Sequence, residues 1–203
     1  MEPHEDVCLA AEQHDIGMGD WDAAPERNPA TGLPYAFTEM PVERHLQQWR
    51  DGPRRLMVQS RYAALLASLH GSRLQRRREP QTDSIRAYLE DQRRFQDALV
   101  ASLDTDPHLL ARNHQLLWTW DFLSLALCLD WAPITAHDVP SAADPVELQL
   151  TRRSLDPWPF HEPTLTVRCE GRRLHGPYAS DDEMYEALEA APWETIAFEL
   201  VSG

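Results

Sequence analysis

Lysine is missing altogether: all 19 basic side chains of the 203-residue chain are arginine. A phosphate-loop lysine, a Schiff-base lysine and a lysine general base are thereby excluded. The arginine bias also points to a GC-rich bacterial genome. Positive charge is scarce overall. A net charge of −14 argues against nucleic acid as a ligand, because phosphate recognition needs a basic footprint. Only three cysteines occur, Cys8, Cys128 and Cys169, far apart in the chain. No disulfide framework is expected from them, and a reducing, cytoplasmic setting is. Cys8 and Cys128 stand among apolar residues and read as core packing. The longest apolar run, Leu116 to Leu129, is too short for a bilayer and carries Asp121, so no membrane association is expected. No charged-then-apolar-then-small opening marks a secretory leader. G-x-S-x-G, H-E-x-x-H, C-x-x-C and glycine-rich phosphate loops are all absent.

What is present divides into two textures. Up to about residue 130 the chain reads as helices. Pro3, Glu5 and Asp6 open one that runs to about Ile16 and stops at Gly17 and Gly19. A turn-rich loop follows, Asp22-Ala-Ala-Pro25 and Asn28-Pro-Ala-Thr-Gly32. Glu43 to Arg50 is a short helix closed by Asp51-Gly-Pro53, and Arg55 to His70 is another, with Gly71 as its cap. Arg73 to Arg78 reads as a solvated basic linker. Asp83 to Leu103 has apolar residues at helical spacing, and Pro107 to Leu129 is the most apolar helix. Beyond residue 130 prolines crowd in and alternating runs appear at Val146 to Leu150, Leu165 to Cys169 and Ile196 to Leu200. A helix with a Ser180/Glu183 capping box precedes the last. The expected fold is α+β: a mainly helical domain over 1–130 and a small antiparallel sheet with one helix over 131–203, packed on it.

Asp121 is the informative residue. It is the one charge in Leu116-Leu-Trp-Thr-Trp-Asp-Phe-Leu-Ser-Leu-Ala-Leu-Cys-Leu129 and shares a helical face with Leu117, Ser124 and Cys128. A buried carboxylate needs a cation: a metal, an arginine or a histidine. His14 and Asp15 are adjacent near the end of the first helix, His14 on the face of Val7, Ala10 and Ala11. Such a pair suits a divalent metal or a general base, or is simply a satisfied core histidine with a capping aspartate. His70 closes Tyr62-Ala-Ala-Leu-Leu-Ala-Ser-Leu-His70 in line with Ala63 and Leu66; it faces inward or serves the helix dipole. Asp20, Trp21 and Asp22 follow the glycine break and either line a pocket that binds substrate or act as turn and cap residues. His4, His45, His108, His114, His137, His161 and His175 show no convergent spacing and read as surface. Ser68 reads as packing.

The same residues carry a resemblance. Ala10-Ala-Glu-Gln-His-Asp-Ile-Gly-Met-Gly-Asp-Trp-Asp22, Pro25, Asn28-Pro-Ala-Thr-Gly-Leu-Pro34 and Phe37 are similar to the opening of a bacterial family, domain of unknown function 3891. Tyr62 to His70, Trp120-Asp-Phe-Leu-Ser-Leu125 and Asp156-Pro-Trp-Pro-Phe160 resemble its later blocks, so the likeness covers nearly the whole chain. It brings no assigned activity. That family is in turn similar to HD-domain metalloproteins, helical enzymes built around His…His-Asp…Asp. Carried over by position, the resemblance makes His14 and Asp15 the doublet, Asp121 the closing aspartate and His70 an extra ligand or pocket base. The chain departs from the pattern where the first histidine should stand. Thirteen residues precede His14, all used by its own helix, and His4 lies nearly three turns away. Met18 also replaces a tryptophan usual in the family. Either a second subunit or a second copy supplies the missing helix, or the pocket works without metal.

Three functions follow as expectations. One is a hydrolase of a small molecule such as a phosphoester, with iron, manganese or zinc on His14, Asp15 and Asp121. Another is a metal-free enzyme in natural-product biosynthesis, such as a two-subunit aziridine-forming cyclase, with Asp121 as a base whose pKa burial raises. The last is a non-catalytic scaffold that has kept the fold.

Overall fold

The computed structural model describes residues 3–203, and the chain is α+β. Two compact units are present. The first comprises residues up to 23 and 37–120; the second comprises 24–36 and 121–203. The change of texture at residue 130 thus falls inside the second unit.

In the first unit, α1 (His4–Gln13) starts after Pro3 with Glu5 and Asp6 in its first turn, where acids complement the exposed N–H groups. It stops earlier than expected. His14 is its C-cap, Asp15 leaves helical geometry at φ −105 and ψ 14, and a 3-10 turn (Ile16–Met18) leads into the short α2 (Gly19–Ala23). Packing is the reason. A Cβ on Gly17 would stand 2.1 Å from the Gln48 carbonyl oxygen, so the 3-10 turn lies backbone to backbone on α3 (Val42–Leu56).

Two other glycines read as helix stops prove to be crossing points. α3 runs on through Gly52 and Pro53, because Gly52 faces Gly17 while Leu46, Trp49 and Leu56 are buried. Tertiary burial here outweighs the local cost of glycine and proline. Arg55 and Leu56 therefore finish α3, and α4 (Arg61–Arg76) begins at Ser60, whose hydroxyl accepts the Ala63 N–H at 3.0 Å. α4 continues past Gly71, where a Cβ would meet the Trp49 ring at 2.7 Å and the Tyr88 hydroxyl at 2.8 Å. Arg73 and Arg76 form the last turn of α4 instead of a linker. Ser60→Ala is expected to cost about 1 kcal/mol, readable in the urea midpoint, because it removes that cap.

α5 (Asp83–Leu103) occupies the expected span, capped by Thr82. Between it and α4 lies a buried polar ladder. Ser68 donates to Gln92 at 2.8 Å, and Gln96 donates to Ser68 and Ser72 at 2.8 and 2.9 Å. The opposite side of α4 is apolar: Tyr62, Ala63 and Leu66 pack with Val7, Ala10 and Leu117. Ser68 is thus a hydrogen-bonded core residue. α6 (Pro107–Cys128) closes the helical series.

The second unit holds a five-stranded sheet: β1 (Ile134–Val139), β2 (Val146–Leu150), β3 (Ser154–Asp156), β4 (Thr164–Arg172) and β5 (Trp193–Ser202), in the order β1-β2-β3-β5-β4. It is mixed, a correction to the expected antiparallel sheet. β5 enters between β3 and β4, antiparallel to β4 and parallel to β3. β1 and β3 escape the sequence pattern because β1 carries polar Thr135, His137 and Asp138, and β3 is three residues long. Ala126 packs with Ala136, Leu148, Leu150, Leu155 and Leu200 as the core of this unit. α7 (Asp181–Ala190) opens with the expected Ser180 cap; the Glu183 side chain accepts the Ala179 N–H at 2.7 Å. Cys128 is exposed, a correction to its reading as core, because it ends α6; Cys169 is exposed too and Cys8 half-buried. Among the described residues no helix is long and apolar enough to cross a membrane.

Candidate metal centre

His14 sits where α1 ends, and its position fixes its tautomer. Nδ1 lies 3.0 Å from the Ala11 carbonyl oxygen, which can only accept, so Nδ1 carries the hydrogen. Nε2 is left with the lone pair, the arrangement in which histidine ligates metals. His70, on the apolar side of α4, is completely buried. Three rings enclose it: His14 edge-on at 5.0 Å, Trp49 at 5.7 Å and Trp118 at 5.6 Å between centroids. Asp121, half-buried, follows Trp120 in the unbroken α6.

The ligand atoms of His14, His70 and Asp121 all lie within 4.8 Å of one another, and the three can hold a metal ion. Two imidazole nitrogens and one carboxylate oxygen are donors that zinc, manganese and iron accept. All three side chains come from one chain. Asp15, the expected doublet partner, is exposed and outside this group. The two residues are adjacent, but α1 ends at Gln13 and Asp15 leaves helical geometry, so adjacency does not give them a common face. His70 takes the third place.

Asp20, Trp21 and Asp22 stand on α2, not in a loop, and none belongs to the group. Asp20 pairs with Arg55 at 2.5 Å, which holds its carboxyl below the usual range. Trp21 is buried with the Arg44 guanidinium 5.7 Å from its ring. Burial, and then the nearby Asp15 charge, push the Asp22 carboxyl up.

Two histidines read as surface are half-buried around this centre. His114 has its Nε2 buried without a hydrogen-bond partner among the described residues, and burial, then the charges of His70, Arg73 and Arg76, lower it to about 3. His114 precedes Asp121 by two helical turns, a spacing that places both on one face of α6 and that the sequence could have revealed. Trp118 lies between them on that face, with Arg73 and Arg77 at 3.9 and 4.7 Å from its ring. His45 accepts the Trp49 indole N–H at Nε2, 2.8 Å away. Burial, and then Arg78, bring its pKa down to about 4.

The His45 shift makes stability pH-dependent. Its folded value lies below the unfolded 6.5, so the unfolded chain takes the proton first. The contribution is complete above that value and is lost as pH falls towards 4. Going from about pH 7 to about pH 5 should cost about 2 kcal/mol through this residue. Urea unfolding should show a smaller acid loss for His45→Gln than for the parent.

The family model described as "Protein of unknown function (DUF3891)" matches residues 1–176 of the chain. No curated protein and no solved structure matches it. With most of its length matched, the chain belongs to the DUF3891 family.

Proposed function

We propose that the protein is a metal-dependent hydrolase of a small molecule, with a divalent ion held by His14, His70 and Asp121, in the manner of an HD-like site. One observation carries the reading: two histidines and a carboxylate, at the C-cap of α1 and within α4 and α6, bring their ligand atoms within 4.8 Å of one another. Buried polar groups are hydrogen-bonded and buried charges are paired or metal-bound, and one ion would engage all three side chains at once. Three protein ligands, and not four, is the pattern of a catalytic site, which keeps positions for water and substrate.

When bound, the ion supplies a Lewis acid that makes water acidic near neutral pH. The chain's own residues set the stage for it. Ala11 locks the His14 tautomer, so Nε2 faces the group with its lone pair. Trp49 and Trp118 fix the plane of His70 and exclude water from its flanks. Asp121 supplies the negative charge that offsets part of the cation's. His114, neutral at physiological pH and adjacent to His70, leaves the centre free of a further positive charge.

The test is hydrolysis of a panel of chromogenic phosphate and carboxylate esters by chelated protein reloaded with zinc, manganese or iron(II). Metal-dependent turnover that is lost in His70→Ala supports the reading. Equal rates with and without metal across the panel overturn it.

A further inference from the structure

We propose that the C-terminal end of α4 holds a binding site for a small oxyanion, formed by Arg78 and His45. On the hydrolase reading, on which this part rests, the substrate carries such an anionic group apart from the bond that reacts.

The rings around His70 form a continuous run. In order of contact it is Arg77, Trp118, His70, Trp49, His45 and Arg78. The spacings are 4.7 Å from Arg77 to the Trp118 ring, 5.6 Å to His70 and 5.7 Å on to Trp49. A 2.8 Å hydrogen bond then leads to His45, and 3.2 Å separates His45 Nδ1 from Arg78 Nη1. Two consecutive arginines thus reach the two ends of a run centred on a proposed metal ligand.

At His45 this run has one donor too many. The Trp49 indole nitrogen and the Arg78 guanidinium can only donate. A neutral imidazole has one N–H and one lone pair. With the hydrogen on Nδ1, Nε2 accepts from Trp49 and Nδ1–H confronts Arg78; with it on Nε2, the conflict moves to Trp49. A doubly protonated ring confronts both. Every protonation state sets a donor against a donor, and an acceptor placed against Nδ1–H and the guanidinium resolves it. An oxyanion is such an acceptor, and its charge suits arginine.

The charge pattern agrees. Arg86, Arg93 and Arg94 on α5 each pair with a carboxylate. Arg76, Arg77 and Arg78 pair with none among the described residues, in a chain with 33 acidic residues to offer. Arginine at a helix C-terminus complements the dipole, which explains positive charge there but not the opposed donors at His45. The segment is also held in place: Gln81 Nε2 donates to the carbonyls of Gln75 and Arg78 at 3.0 and 2.5 Å. With Trp49 and Trp118 between the arginines and His70, the anion binds beside the proposed metal centre and not on it. The chemistry selects a carboxylate, sulfate or phosphate group.

The experiment titrates sulfate, inorganic phosphate and acetate into metal-free full-length protein, read by tryptophan fluorescence and by the Trp49 indole N–H resonance. Saturable binding of at least one anion is expected, about tenfold weaker in Arg78→Gln. Preference for sulfate and phosphate over acetate defines a tetrahedral site, and the reverse a carboxylate site. Asp121→Asn should bind the anion unchanged, so failure of the metal reading leaves this result standing. Thermal melting confirms that each variant is folded. No saturable binding by any of the three anions overturns the proposal. So does equal affinity in a folded Arg78→Gln variant, or binding that needs metal and is lost in Asp121→Asn.

Discussion

Asp121→Asn is expected to weaken metal binding by at least about a hundredfold while the chain stays folded. Changes to groups that merely orient a metal ligand cost about 10–100-fold in affinity, and removing the only carboxylate of a three-residue set exceeds that. The amide keeps the shape of the side chain, and asparagine and aspartate have similar helix propensity, so α6 is not disturbed. Asp121 is also only half-buried, which limits what its charge costs the fold. Competition between the variant and a chelating dye for zinc or manganese measures the affinity, and circular dichroism the folding. Parent-like affinity in a folded Asp121→Asn protein would remove Asp121 from the set.

Gly17→Ala is expected to destabilise the protein by about 3 kcal/mol or more, because no side-chain rearrangement relieves it. The added Cβ would lie 2.1 Å from the Gln48 carbonyl oxygen and 3.0 Å from the Gly52 nitrogen, both backbone atoms inside the long α3. Either α3 or the 3-10 turn must shift. The turn begins two residues after His14, so weakened metal binding should accompany the lost stability. Gly19→Ala is the matched control. A Cβ there meets nothing within 4 Å and its φ of −54 suits any residue, so that change should be neutral or slightly stabilising. Urea unfolding of the two variants side by side reads the difference. Equal stabilities would mean that the close approach of the 3-10 turn to α3 is not a constraint.

The elements read correctly from sequence are those whose signals are local. Asp83 to Leu103 has helical periodicity and a capping threonine, Ser180 and Glu183 form a self-contained N-terminal cap, and β2, β4 and β5 alternate cleanly. Gly17, Gly52 and Gly71 mislead for one physical reason. A glycine that ends a helix and a glycine that lets another backbone or ring approach look the same until the approaching element is known. That ambiguity makes α3 look as if it ends at Arg50 and α4 at His70, and it makes Arg73 and Arg77, which lie over Trp118, look like a linker.

The candidate site is legible to the same depth. Asp121 stands out because a charge in an apolar helix needs a reason, and His14 and His70 because they share faces with small apolar residues. Asp15 enters through a helical face it would share with His14 and through the family resemblance; a common face holds only while the helix continues, and α1 ends at Gln13. The sequence does not single out His45 and His114, because what covers them comes from other helices and not from their own neighbours in sequence. Trp49 and Trp118 gave no sign of enclosing a histidine, since an aromatic at helical spacing is ordinarily core.

The most direct test of the account is the metal content of the protein purified without chelator, by elemental analysis, beside His14→Ala and His70→Ala. The prediction is about one equivalent of a divalent transition metal per chain in the parent, falling below about a tenth in both variants. Less than about a tenth of an equivalent in the parent, unchanged after incubation with zinc, manganese or iron(II), would contradict it.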